Sequence, residues 1–140
     1  MANKKKGVIQ RVIVTPDKHF PLHDKKAINV VCKAIEMVKP TAYVDLGDTG
    51  EWELFSNHHW RKLDKPPDNL LIPMLDKSVE EVNKGMDQID KVLDKVGCKA
   101  RYFMQGNHEE WLDTYAKNHS RPRFLTQNAL RLKERGYELW

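Results

Sequence analysis

The spacing of apolar residues changes several times along the chain, and each change marks the edge of a structural element. From Val8 to Val14, β-branched residues dominate and Thr15-Pro16 closes the run, because proline cannot donate to a strand ladder; this predicts a first strand. Asp24 then stands where a helix cap is needed. Ala27, Ile28, Val31, Ala34, Ile35 and Val38 follow at spacings of three and four before Pro40, which predicts a helix with one buried face. Ala42-Tyr43-Val44 with Leu46 predicts a short second strand ending at Gly47-Asp48. Gly50 to Asn69 has no period, is rich in polar and aromatic residues, and contains Pro66-Pro67-Asp68, so it reads as an insertion that ends in a turn.

From Leu70 to Val96, the residues Leu75, Val79, Val82, Met86, Ile89, Leu93 and Val96 are spaced alternately by four and three. This stripe predicts a long helix, lying on a sheet or offering a coiled-coil surface, with Gly85 counting against an unbroken helix and Gly97 as its stop. Ala100 to Met104 predicts a third strand. Asn107, with Glu110 three residues on, predicts a capped helix through Ala116, and a further helix is expected from Arg123 to Glu134. After Gly136, Tyr137 to Trp140 begins a fourth extended segment. The order β-α-β-α-β-α-α implies an α/β fold, mainly a parallel sheet with flanking helices, whose right-handed crossovers bring successive strand ends to one edge.

With 140 residues, a single domain over 1–140 is expected. Charged side chains make up 31% of the chain, the net charge is +4 and the pI is near 9.0; Lys4-Lys5-Lys6 accounts for part of the basic excess. Neither a membrane-length apolar run nor a signal-type segment is visible, so no membrane partner and a cytoplasmic location are expected. Cys32 and Cys98 are too far apart for a CxxC or zinc-ribbon pattern and are expected to be reduced thiols.

The chemistry-bearing motifs fall at the predicted strand ends: Asp17-Lys18-His19, Gly47-Asp48 and Gly106-Asn107-His108-Glu109. Each alone has an ordinary reading as a turn or a helix cap. Together they gather hard and borderline O and N donors, suited to Mn, Fe, Zn or Mg, at one sheet edge. Two such ions sharing a carboxylate can hold a hydroxide and clamp a phosphoryl group for in-line attack. Two lookalikes fail. Asp48-Thr49-Gly50 matches the aspartic-protease tripeptide in a chain that is not all-β, and Leu112 stands where a zincin's second histidine would follow His108-Glu109.

In this order, the three motifs resemble those of the calcineurin-like metallophosphoesterase superfamily from Val8 to Glu109. The resemblance implies that Asp17 and His19 ligate a first metal, Asp48 bridges two, Asn107 ligates the second, and His108 stabilises or protonates the leaving oxygen. The family usually has an acidic residue after G-D and two intervening positions; Glu51 stands there and is expected to orient His108. The later histidine and the G-H-x-H motif that complete the family's metal shell are absent, and His119 is the sole histidine after the third motif. The expected fold is therefore one half of the family's αββα sandwich, from a truncated, split or interrupted gene product. A homodimer or a complementing chain would then cover its open sheet face. His58 and His59, with Trp60, Arg61 and Lys62, offer substitute ligands or a short nucleic-acid contact. The expected activity is hydrolysis of a phosphate mono- or diester by a dinuclear divalent-metal site; the alternative is an inactive binding module.

Overall fold

The computed structural model describes residues 7–140, so Lys4 to Lys6 lie outside the described residues. Its core is a four-stranded, wholly parallel sheet in sequence order: β1 (Val12–Thr15), β2 (Ala42–Asp45), β3 (Ala100–Phe103) and β4 (Tyr137–Leu139). The strands are joined by α1 (Lys25–Val38), α2 (Asp68–Lys95), α3 (Asn107–Asn118) and α4 (Thr126–Ala129), with 3₁₀ turns at Glu53–Phe55, His59–Arg61 and Pro122–Phe124. The α/β class expected from the alternation is the class observed. In register, Thr15 lies beside Asp45 and Asp45 beside Phe103, so β1, β2 and β3 stop together at one edge.

Strands in sequence order with right-handed crossovers place every helix on the same face of the sheet. Side-chain burial follows that rule. Thr15, Tyr43, Asp45, Arg101, Phe103 and Tyr137 are buried on the helix side. Val12 and Val14 are about half exposed, at 51% and 49%, on the other. Trp140 meets Tyr102 edge-on at 5.5 Å there, and with Val44 and Met104 these rings line a cavity of about 340 Å³. Among the described residues, no element covers this face.

Several boundaries differ from the sequence expectation. β1 begins at Val12, because its one neighbour, β2, begins at Ala42; Val8 and Ile9 remain 80% and 75% exposed. α2 is unbroken despite Gly85. A Cβ at Gly85 would lie 2.3 Å from the Phe20 ring, so the glycine is where that ring packs against the helix. Leu75, Val82, Met86, Ile89 and Leu93 are buried in the core, and α2 therefore spends its stripe inside its own fold. Asp24 caps α1 as expected, accepting from Lys26 and Ala27 N–H at 2.7 and 3.2 Å.

The helix expected over 123–134 is replaced by a 3₁₀ turn, the single turn α4, and irregular chain. Leu125 is extended, with ψ 139°, and Arg131 lies in the left-handed region at φ 51°. Side chains from α2 and nearby take over the freed carbonyls: Asn83 donates to Ala129 O at 2.9 Å, and Arg135 donates to Leu130 O at 2.9 Å. Tertiary hydrogen bonds thus outweigh local helical periodicity in this segment. No described helix is long and apolar enough to cross a membrane.

Candidate metal centre

The loops that leave β1 and β2 continue the sheet's pairing. Asp17 N–H donates to Gly47 O at 3.1 Å, His19 N–H to Asp48 O at 2.9 Å, and Phe20 N–H to Thr49 O at 2.8 Å. The register of the strands therefore also fixes Asp17 and His19 against Asp48. Between them, Lys18 turns inward. Its Nζ lies 2.7 Å from Asp45 Oδ1, with both side chains almost fully buried, and 3.3 Å from Thr15 Oγ1. Asp45 also accepts from Gly47 N–H and the Thr49 hydroxyl at 3.1 and 2.8 Å, which compensates its burial and ties both loops to the core.

The turn is tight enough to require glycine at two positions. Gly47 has φ +87°, and a Cβ there would fall 2.2 Å from Gly106 N; one at Gly106 would fall 2.2 Å from Asp48 Oδ1. Asp17, His19, Asp48 and Trp52 hold φ between 47° and 50°, a region that costs non-glycine residues about 1–3 kcal/mol each. Such strain concentrates where a fold must aim side chains.

Glu109 holds the third motif to the second. Its fully buried carboxylate accepts from Asp48 N–H at 2.7 Å, Thr49 N–H at 3.0 Å, Gly106 N–H at 3.0 Å and Trp52 Nε1–H at 3.1 Å. The helix cap therefore lies one residue earlier than expected: Gly106 is the cap residue of α3 and Glu109, not Glu110, closes back onto it. Asn107 is the first helical residue and its side chain is exposed, so it does not act as the cap. Asp48 Oδ1 accepts from His108 N–H at 2.9 Å, which seats the start of α3 against the second motif.

Donor atoms of Asp17, His19 and Asp48 lie within 4.8 Å of one another, and those of His19, Glu51 and His108 form an adjoining group on the same criterion. His19 Nδ1 faces Glu51 Oε2 at 3.0 Å, so it carries the proton, and Nε2 is left with a lone pair 3.9 Å from Asp17 Oδ1. A carboxylate behind an imidazole in this way fixes the tautomer a metal ligand needs. Glu51 differs here from expectation. Its side chain orients His19, while its main-chain carbonyl accepts from His108 Nδ1 at 2.7 Å. His108 also presents Nε2; its ring meets His19 edge-on at 4.8 Å and stacks on Trp111 at 4.2 Å.

Of the other histidines, His23 meets the Phe20 ring edge-on at 4.6 Å, and His59 and His119 are engaged elsewhere. His119, at the far end of α3 and roughly 18 Å along the helix from its start, stacks on Tyr115 at 4.1 Å. His59 pairs with Glu53 at 3.2 Å and meets Trp60 edge-on, whereas His58 is exposed. Lys18 and Glu109 stand inside the sequence motifs without a role of their own there, and Trp111 stands outside them. Glu109 at the third position of α3 carries a capping signal visible in the sequence; Lys18 and Trp111 carry none. Comparison with protein-family models, with curated proteins and with solved structures found no match to this chain.

Proposed function

We propose that the chain belongs with the calcineurin-like metallophosphoesterases and hydrolyses phosphate mono- or diesters with divalent metal. The observation that carries this reading is the convergence of Asp17, His19 and Asp48, three strained residues from two strand ends, with donor atoms within 4.8 Å. Two carboxylates and one imidazole suit a hard or borderline divalent cation. Asp17, His19 and Asp48 would hold the first ion; Asp48 and Asn107 would contribute to a second. Bound there, such ions would supply Lewis acidity at a phosphoryl oxygen and lower the pKa of water.

The chain's own residues do the rest. Glu51 holds the His19 proton on Nδ1 and so keeps Nε2 available. The Glu51 carbonyl holds a proton on His108 Nδ1, and the His108 Nε2 is free to carry a second proton to a leaving oxygen. Trp111 covers one face of that imidazole and limits its rotation. We place a second copy or a complementing chain on the open sheet face, where Val12, Val14 and Trp140 are exposed.

The test is manganese-dependent hydrolysis of an aryl phosphate monoester and diester by the purified chain, with Asp48→Asn as control. Release of the aryl group that rises with metal and falls at least about 100-fold in the variant is expected, since the lost carboxylate serves both ions. No turnover at saturating metal, or turnover unchanged by the substitution, contradicts the reading and favours a binding module.

A further inference from the structure

One indole away from His108 lies a cavity of about 120 Å³, lined by Phe55, Ser56, Asn57, His58, Trp111 and Thr114. It is formed where the insertion after β2 meets the outer face of α3. Trp111 belongs to both places, stacking on His108 at 4.2 Å with 26° between the planes while also walling the cavity. We infer that this cavity seats the nucleobase of a nucleotide whose phosphate is directed to His108. The inference rests on the hydrolytic reading above and names its substrate class.

Three properties of the cavity argue for that occupant. At about 120 Å³ it is an open cleft, smaller than the ~150 Å³ that encloses a benzene, and receives the edge of one planar ring system but not a bulky chain. One of its walls is the Trp111 indole, and stacking of a base on an aromatic side chain is worth on the order of 10- to 100-fold in affinity. Its rim is polar in the way a base edge requires. The Asn57 amide offers donor and acceptor together, the Thr114 hydroxyl can serve as either, and the exposed His58 adds a ring nitrogen.

The loop is also held in place. Ser56 is buried, and its hydroxyl accepts from His58 N–H at 3.1 Å; Trp60 Nε1–H donates to Leu54 O at 3.0 Å. Arg61 and Lys62 follow directly in the chain and are exposed, and Lys65 Nζ lies 5.9 Å from the ring of Tyr115, the residue after Thr114. The paired histidines and tryptophan of the insertion thus acquire a role in shaping substrate choice, with His59 bound to Glu53 as part of the support.

Calorimetry on the full chain can compare adenosine 5′-monophosphate, ribose 5-phosphate and phenyl phosphate, with and without manganese. The nucleotide should bind at least about 10-fold more tightly than the other two. Thr114→Trp, which fills the cavity from an exposed helix position, should bring the three within about 3-fold; Asn57→Ala, on the exposed loop, should narrow the gap without filling anything. Equal binding of nucleotide and ribose 5-phosphate overturns the inference, as does a preference unchanged in both variants. Phenyl phosphate binding as tightly as the nucleotide removes the base edge from recognition and overturns it too. A base preference without metal-dependent hydrolysis supports the pocket and sets aside the hydrolytic reading. Aryl phosphate hydrolysis without a base preference does the reverse.

Discussion

Glu51 ties down two histidines with two different groups, its carboxylate on His19 Nδ1 and its main-chain carbonyl on His108 Nδ1. Removing the side chain separates these roles. Glu51→Ala should weaken manganese binding by about 10-fold, because the His19 ring loses the acceptor that sets its tautomer, whereas Glu51→Gln should recover part of the loss. Affinity unchanged in Glu51→Ala, measured by titration calorimetry, would remove Glu51 from the support of the site. At this scale, the sequence made Asp17, His19 and Asp48 legible, because their meeting requires only that strand ends be aligned. The partners of the buried charges were not legible. Glu109 reaches residues some 60 positions earlier, and Lys18 finds Asp45 only after β1 and β2 pair. Such pairings depend on three-dimensional register, and no local pattern encodes them.

Among the elements, α1 and α2 were readable because long periodic faces leave little choice of structure, and the strand ends were readable because proline and glycine punctuate them. The segment after α3 was not, since side chains of Asn83, Arg135 and Asp113 supply hydrogen bonds that a local helix would otherwise make for itself. Gly85 illustrates the same limit within α2. Replacing a mid-helix glycine by alanine ordinarily stabilises by about 1 kcal/mol. Here the new methyl would meet the Phe20 ring, which belongs to the loop that also carries His19, and Gly85→Ala should instead cost about 1–3 kcal/mol in urea unfolding. A stabilised Gly85→Ala protein would show that Phe20 moves aside freely, and that α2 does not brace the loop.

Across the whole molecule, the sheet has one covered face and one open face, as expected from a sequential strand order with helices on one side. The helix face ends, away from the candidate site, in a buried ionic network. Asp90 accepts from Tyr137 Oη–H at 2.8 Å and pairs with Arg135, while Arg101 lies 3.7 Å away and also pairs with Asp94. Burial pushes the Asp90 carboxyl above its usual 3.8, against the pull of the Arg135 and Tyr137 hydrogen bonds and the Arg101 charge. The folded chain therefore binds that proton more readily than the unfolded chain. Its contribution to stability is fully present below about pH 3.8 and declines as pH rises through the raised value. The stability gap between wild type and Asp90→Asn should thus be wider near pH 4 than near pH 7 in urea unfolding; a gap that widens with pH would mean that the charged pair dominates instead. The network anchors β4 to α2, whereas the opposite end of the sheet gathers Asp17, His19 and Asp48. The central claim is that these three hold a divalent ion, and electron paramagnetic resonance of added manganese reads this directly. Saturable loss of the free-ion signal in wild type, reduced at least about 10-fold in affinity by Asp48→Asn, is the predicted result. A free-ion signal undiminished by the wild-type chain, or diminished equally by the variant, would contradict it.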